Sequence, residues 1–458
     1  MKRVFGRITA AILITSTLGA CSPEPHSAQE NGSVRVLAPM SNSKGTYSLD
    51  VMELHGIEDL QTMAGRFVRF FMSPRIINSR LDGQSPKTRF IRNKQGEYIP
   101  ANEITQQLVT VYAHMQRLAE LDEELGASGV NKWPRDIGVA VKVKGGVRNN
   151  AFYDGATDSM LFVPYTQNGL PIAINGGILA HEHFHSLFYK LVLPESPYKG
   201  SVHDREEILK ITDVQEDLST STRQRLDVLP IESHMRMDEG TLHFYYHMAI
   251  TRGLNEGLAD FWGWMYTGDP DFIAQSLPGE KNARSLKVTD ETSVNSLPSP
   301  EALQRSLKIF YNSGDNKKMK EYSIGFAYSL ATQYSRFLKR LTDIYAKDRG
   351  VEPLQARKEI AKVLIKTLPK IKSSFEGLSE DYYTSVQFVE SLIEQLGELK
   401  ENECAFLAQV MTNSVEVSNE KFVCKSNKIE KEQIVDPATP STTEAPVKTA
   451  EVPQGEAK

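Results

Sequence analysis

Cysteine is almost missing: the 458-residue chain has three, Cys21, Cys404 and Cys424. That scarcity excludes a cysteine-built zinc cluster and a cysteine nucleophile. Also missing are a G-x-S-x-G serine elbow, a phosphate-binding Walker loop, a dinucleotide-binding glycine fingerprint and an EF-hand calcium loop. Charge of one sign is scarce as well. A formal net charge of −5 lacks the strongly basic face that a nucleic-acid partner requires. Long apolar runs are absent, since the one near the start, over 8–20, is too short for a membrane span. What remains is ordinary globular material, 40% hydrophobic and 24% charged, enough for a sizeable core in two or three domain-sized units.

The start of the chain carries an address. Met1, Lys2, Arg3 and Arg7 form a short basic region, an apolar stretch follows, and Leu18, Gly19 and Ala20 precede Cys21. Small residues before a cysteine at this place resemble the lipobox of bacterial lipoproteins. The resemblance implies cleavage before Cys21, acylation of Cys21 and a stable membrane anchor. Ser22 rather than Asp after the cysteine points to the outer membrane by analogy with Gram-negative sorting. In an exported chain the other two cysteines read as a disulfide. Cys404 and Cys424 lie 20 residues apart (424 − 404), and closing such a loop contributes about 3 kcal/mol in the chain-entropy model.

The chain divides into a signal peptide over 1–20, a Ser/Pro/Glu/Asn-rich tether over 21–46, an α+β lobe over 47–193, an insertion with connecting helices over 194–252, a helical lobe over 253–426 and a Pro/Thr/Glu/Lys-rich disordered tail over 427–458. Within this frame a short helical pattern runs over 60–71. Apolar residues spaced by threes and fours predict a long helix over 101–126. Alternation predicts a strand over 137–144, and two more short strands fall at 150–153 and 159–164, around the turn-forming Asp154 to Asp158. A helix over 178–193 ends before Pro194. A second apolar helical region covers 240–266 with a break near Arg252 and Gly253. A Ser/Thr/Asn/Pro loop over 285–300 leads to helices from 303 to about 410.

The helix over 178–193 contains His181, Glu182, His183, Phe184 and His185. This is H-E-x-x-H on a helix. Residues four apart project from one face, so the His181 and His185 imidazoles can meet at one ion, while Glu182 lies beside the remaining coordination position, ready to take a proton from water. His183 points elsewhere and reads as a packed or exposed residue. Downstream, Glu256 and Asp260 again share a helix face, among Leu254, Leu258, Phe261 and Trp262. Two carboxylates on so apolar a helix are costly to bury without a cation. His243 and His247 are also four apart, but no acid follows the first, and they read as helix packing or pocket wall. Glu239 lacks an acid four residues on.

H-E-x-x-H followed by Asn255, Glu256 and Asp260 in N-E-x-x-x-D-x-x-G resembles the thermolysin-like gluzincins, zinc metallopeptidases. The resemblance implies one Zn2+ held by His181, His185 and Glu256. It makes Asp260 and Asn255 the residues that orient the histidines, and Glu182 the general base. Asn150 and Ala151 resemble the gluzincin edge strand that binds an extended peptide by β-augmentation. Tyr322, in Tyr-x-x-Gly, resembles the oxyanion-donating tyrosine of aminopeptidase-type members. The segment Phe310 to Gly314 is its rival, resembling His-x-Asn-Ser-Gly but with Phe310 at the histidine position.

The likeness covers roughly 101–341 and has departures. The gap from His185 to Glu256 is 71 residues (256 − 185), which implies an insertion. The Gly-x-Met-Glu-Asn amine-capturing motif of aminopeptidases is absent, which disfavours an exopeptidase. The expected molecule is a two-lobed α+β gluzincin endopeptidase in the cell envelope, with zinc in the cleft, a peptide or protein substrate, and no nucleic-acid partner. Two other readings stay open: a non-catalytic envelope lipoprotein using this fold for binding or structure, and a zinc hydrolase of another bond.

Overall fold

The computed structural model describes residues 33–42, 45–142, 148–194, 239–287, 297–314, 316–377, 382–415 and 420–433. The signal peptide, Cys21, the insertion over 195–236 and the chain beyond 433 lie outside them. Strands β1 (Val34–Ser41), β2 (Tyr47–Leu54), β3 (Ile57–Asp59), β4 (Ala64–Gly65), β5 (Val68–Ile77), β6 (Arg80–Gln84), β7 (Phe90–Arg92) and β8 (Tyr98–Pro100) precede helix α1 (Glu103–Leu125). Then come β9 (Arg135–Val139), β10 (Ala151–Asp154), β11 (Ser159–Phe162) and α2 (Gly176–Leu191). Helices follow: α3 (Glu239–Thr267), α4 (Phe272–Ser276), α5 (Lys281–Arg284), α6 (Pro300–Ser313), α7 (Asn316–Arg349), α8 (Pro353–Gly377), α9 (Ser385–Leu396) and α10 (Glu401–Asn413). A hairpin, β12 (Glu420–Lys425) and β13 (Lys428–Gln433), comes last. The chain is thus mixed α/β, with its large sheets upstream and its helices downstream. None of the described helices is long and apolar enough to cross a membrane.

The sheet beneath the site has the order β10-β11-β9-β5-β6. Strands β5, β9 and β11 run parallel, while β10 is antiparallel to β11 and forms one edge. Its register pairs Ala151 with Phe162 and Tyr153 with Met160. Over α1, Asn102 accepts a hydrogen bond from the Thr105 amide and Gly126 closes the helix at φ 83°, a left-handed cap that glycine adopts freely. Between these caps the expected apolar stripe is buried, from Leu108 through Val111, Met115 and Leu118 to Leu125.

Helix α2 is buried from Gly176 through Phe188. Asn175 caps it, its side-chain oxygen accepting from Gly177 and Ile178 while its amide donates to the Phe272 carbonyl at 2.7 Å. Against α2 lies α3, with Trp262 and Phe184 ring centroids 5.1 Å apart. Helix α3 is continuous, so the expected break at Arg252 and Gly253 is not there. The glycine has a different use. A Cβ at Gly253 would lie 2.6 Å from the Leu330 Cβ, and one at Gly257 would lie 2.5 Å from the Ala331 carbonyl oxygen. These bare positions let α7 approach the helix closely.

Three further expectations change. The tether does not extend over 34–41, where β1 pairs with β2 and buries Val34, Val36, Ala38 and Met40. Serine- and proline-rich neighbours hide that alternation. Residues 60–71 are not helical. Val68 and Phe70 are buried and Arg69 is exposed, a period of two that belongs to β5. Finally, 428–433 is not tail but β13. Its turn places Ser426 and Asn427 at φ 49° and 60°, and asparagine tolerates that region well. The expected disulfide between Cys404 and Cys424 is formed, joining this hairpin to α10.

His114 on α1 is buried, with Nδ1 2.7 Å from the Tyr266 hydroxyl. Burial, helped by the Arg117 charge, pushes its pKa down to about 3. Between that value and about 6.5 the unfolded chain binds a proton that the folded chain does not. Stability from the neutral ring is therefore complete above about pH 6.5 and is lost as pH falls toward 3. Urea unfolding of wild type should lose about 2 kcal/mol between pH 7 and pH 5 from this group, and His114→Gln should lack that increment. Equal losses in both proteins would refute it.

Candidate metal centre

His181, Glu182 and His185 leave α2 on the side facing α3, and all three are buried. Helix α3 answers with Asn255, Glu256 and Asp260. The pairing is specific at each histidine. His185 Nδ1 lies 3.0 Å from Asn255 Oδ1, and His181 Nδ1 lies 3.0 Å from Asp260 Oδ1. With the His185 Nδ1–H donated to Asn255 and the His181 Nδ1 turned toward the Asp260 carboxylate, each Nε2 is left to present a lone pair. The two Nε2 atoms converge to 3.0 Å. Glu256 closes the third corner, Oε2 at 3.6 Å from His181 Nε2 and Oε1 at 3.8 Å from His185 Nε2.

Two facing lone pairs and a carboxylate repel one another unless a proton or cation lies between them. Tetrahedral zinc with ligands about 2.0–2.1 Å away spaces its donors roughly 3.3 Å apart. The separations of 3.0, 3.6 and 3.8 Å bracket that spacing. These spacings suit a metal ion, and the buried group formed by His181, His185 and the adjoining Glu182 can hold one.

Glu182 is the competing carboxylate. It and the two histidines each place one ligand-type atom within 4.8 Å of the others. Its environment differs from that of Glu256. Burial pushes the Glu182 pKa up to about 7, with Glu256 adding to the rise, while His181, Arg284 and a hydrogen bond from the Tyr153 main-chain amide oppose it. At Glu256 burial also acts upward, but His185, His181 and Arg284 outweigh it and hold the carboxyl below its ordinary range. Asp260 behaves like Glu256: burial is outweighed by Arg284 and His181. The carboxylate held ionised beside the two imidazoles is thus Glu256, and the carboxyl that gains and loses its proton near neutral pH is Glu182.

Arg284, at the end of α5, is a member of the site that the sequence did not reveal. Its Nη2 lies 2.6 Å from Asp260 Oδ1 and 3.4 Å from Glu256 Oε2, and its Nε donates to Asp260 Oδ2 at 3.1 Å. No local pattern in Lys281, Asn282, Ala283 and Arg284 marks it. A cleft of about 580 Å³ opens here, with Asn149, Asn150, Arg284, Tyr328 and Thr332 in its lining.

The β10 edge reaches this cleft through Asn150. The Val163 amide donates to the Asn150 carbonyl at 2.9 Å. By antiparallel alternation the main-chain groups of Asn150 and Phe152 face β11, while those of Ala151 and Tyr153 face the open side. Tyr322 lies elsewhere. Its ring packs on Phe310 and Phe326, with centroids 5.1 and 5.7 Å away, so it and its rival segment pack against each other. The tyrosine in the cleft lining is Tyr328.

His183 and His247 are structural. His183 is buried, with Nε2 2.9 Å from Asp122 Oδ1 and its ring stacked on Trp133. His247 Nδ1 lies 2.9 Å from the His243 carbonyl, and its Nε2 accepts from the Tyr383 amide at 3.1 Å. Both nitrogens are therefore in use, and the helix-packing expectation stands. No protein-family model matches the chain, and no curated protein is significantly similar to it.

Proposed function

We propose that this chain is a zinc metallopeptidase of the thermolysin-like gluzincin kind, anchored in the cell envelope through acylated Cys21. The observation that carries the reading is the convergence of His181 and His185 Nε2 on Glu256, each imidazole held from behind by Asp260 or Asn255. Two imidazoles and one carboxylate are a donor set of catalytic zinc, which keeps a position for water. His181, His185 and Glu256 hold the ion. When bound, zinc polarises a substrate carbonyl and lowers the pKa of water.

The chain's own groups supply the rest. Glu182, beside the ligands and with a pKa near neutrality, takes a proton from water and returns it to the leaving amine. Ala151 pairs with an extended peptide through its outward-facing carbonyl, and through its amide once that leaves the Asn150 side-chain oxygen it meets at 2.9 Å, which favours a peptide bond over other bonds. Arg284, fixed by Asp260 and lining the cleft, presents N–H groups to substrate oxygen. Tyr328 stands beside it and is a better placed donor than Tyr322.

The purified protein is expected to contain about one zinc per chain, in keeping with a single three-ligand site. It should cleave an unfolded protein such as reduced casein, stop after dialysis against a chelator and recover with zinc. Absence of zinc, or cleavage that survives its removal, sinks the proposal.

A further inference from the structure

Between β9, the β10–β11 turn and α2 lies a partly buried charged cluster whose side chains play no part in the chemistry above. Arg135 on β9 has a fully buried side chain, and its Nη1 lies 3.0 Å from Asp158 Oδ1. Lys190, near the end of α2, places Nζ 2.8 Å from Asp158 Oδ2. The Tyr153 hydroxyl donates to Asp158 Oδ1 at 3.0 Å. Asn131 joins the set, its Oδ1 accepting from both Arg135 and Lys190 at 3.0 Å. The Tyr153 ring is enclosed as well, by the Arg135 guanidinium at 5.7 Å and the Tyr189 ring at 5.9 Å.

Burying this many charges seldom contributes net stability, because desolvation offsets the attraction; the best-attested use of such a set is to specify one arrangement. What it specifies here can be read from its members. They belong to β9, the β10–β11 turn and α2. Tyr153 sits at their meeting point, on a four-residue edge strand paired on one side only. The main-chain amide of that same Tyr153 is hydrogen-bonded to Glu182, and Ala151 lies two residues before it.

We propose that the Tyr153–Asp158 pair, held by Arg135 and Lys190, is a positioning brace that fixes edge strand β10 against α2, and so fixes both the Glu182 carboxyl and the peptide-binding groups of Ala151. As a claim about catalysis it rests on the peptidase reading. As a claim about the strand it does not.

Two variants test it, Tyr153→Phe, which removes only the hydroxyl, and Lys190→Met, which removes one cation from the half-buried rim. In metal-free protein, amide exchange over residues 150–154 should quicken at least tenfold in each, while α1 amides stay at the wild-type rate. With zinc and a quenched peptide that wild type cleaves, kcat should fall at least tenfold as Glu182 loosens, KM should rise at least twofold as Ala151 loosens, and zinc content should be unchanged. In the double variant the losses should be less than additive, since both act through Asp158. Unchanged exchange over 150–154 overturns the brace whatever the activity. Quickened exchange with wild-type kcat overturns its role in positioning Glu182. If wild type cleaves nothing, the peptidase reading fails and the exchange result still judges the brace.

Discussion

Glu182→Gln should keep its zinc and lose peptide hydrolysis by about a hundred- to ten-thousand-fold, the usual scale for removing a general base. The substitution preserves the shape of the side chain and leaves an oxygen to accept from the Tyr153 amide. It touches neither His181 nor His185 nor Glu256, whose separations of 3.0, 3.6 and 3.8 Å define the donor set. The variant also decides between two carboxylates. If Glu182 rather than Glu256 were the third ligand, zinc content would fall with activity, and Glu256→Gln would spare it. If Glu256 is the ligand, Glu256→Gln loses zinc and Glu182→Gln does not. A Glu182→Gln protein cleaving within threefold of wild type would remove the base from the mechanism altogether.

The parts of this site that could be read from the sequence are those whose geometry is local. His181 and His185, and likewise Glu256 and Asp260, lie four apart on helices, so their spacing alone puts each pair on one face. That the two faces meet is tertiary information, and for it the sequence offered only the apolar surroundings of Glu256. Arg284 shows the limit. It sits on a four-residue helix with no periodicity and meets Asp260 from 24 residues further along the chain. Tyr322 and Tyr328 show the same limit from the other side: a motif selected one tyrosine, while the rotation of α7 put the other in the cleft lining. In the fold, composition misled where it spread across a boundary, as when polar residues before 33 concealed β1. A glycine was misread as a breaker at Gly253, where the absent side chain admits a neighbouring helix instead.

Arg284→Met should destabilise the metal-free protein by about 3–5 kcal/mol, the range for stripping one partner from a buried ion pair. Asp260 has no exposed side-chain surface, and Arg284 bonds it through both Nη2 and Nε while also facing Glu256. Without the guanidinium, two ionised carboxylates and the neighbouring Glu182 are left with imidazoles as their nearest counter-charges. A divalent cation between His181, His185 and Glu256 restores part of what is lost, because it neutralises Glu256 and draws positive charge onto the imidazole that faces Asp260. Zinc should therefore raise the melting temperature more in Arg284→Met than in wild type, even though it binds the same ligands. The linkage is reciprocal: whatever stabilisation zinc gains in the variant must appear as the difference between loaded and empty stability losses. Arg284→Lys keeps the charge without the two-pronged bond and should fall between them. An equal or smaller zinc-induced shift in Arg284→Met would mean that Arg284 and the metal do not share a charge partner, and the donor set drawn here around Glu256 would have to be abandoned.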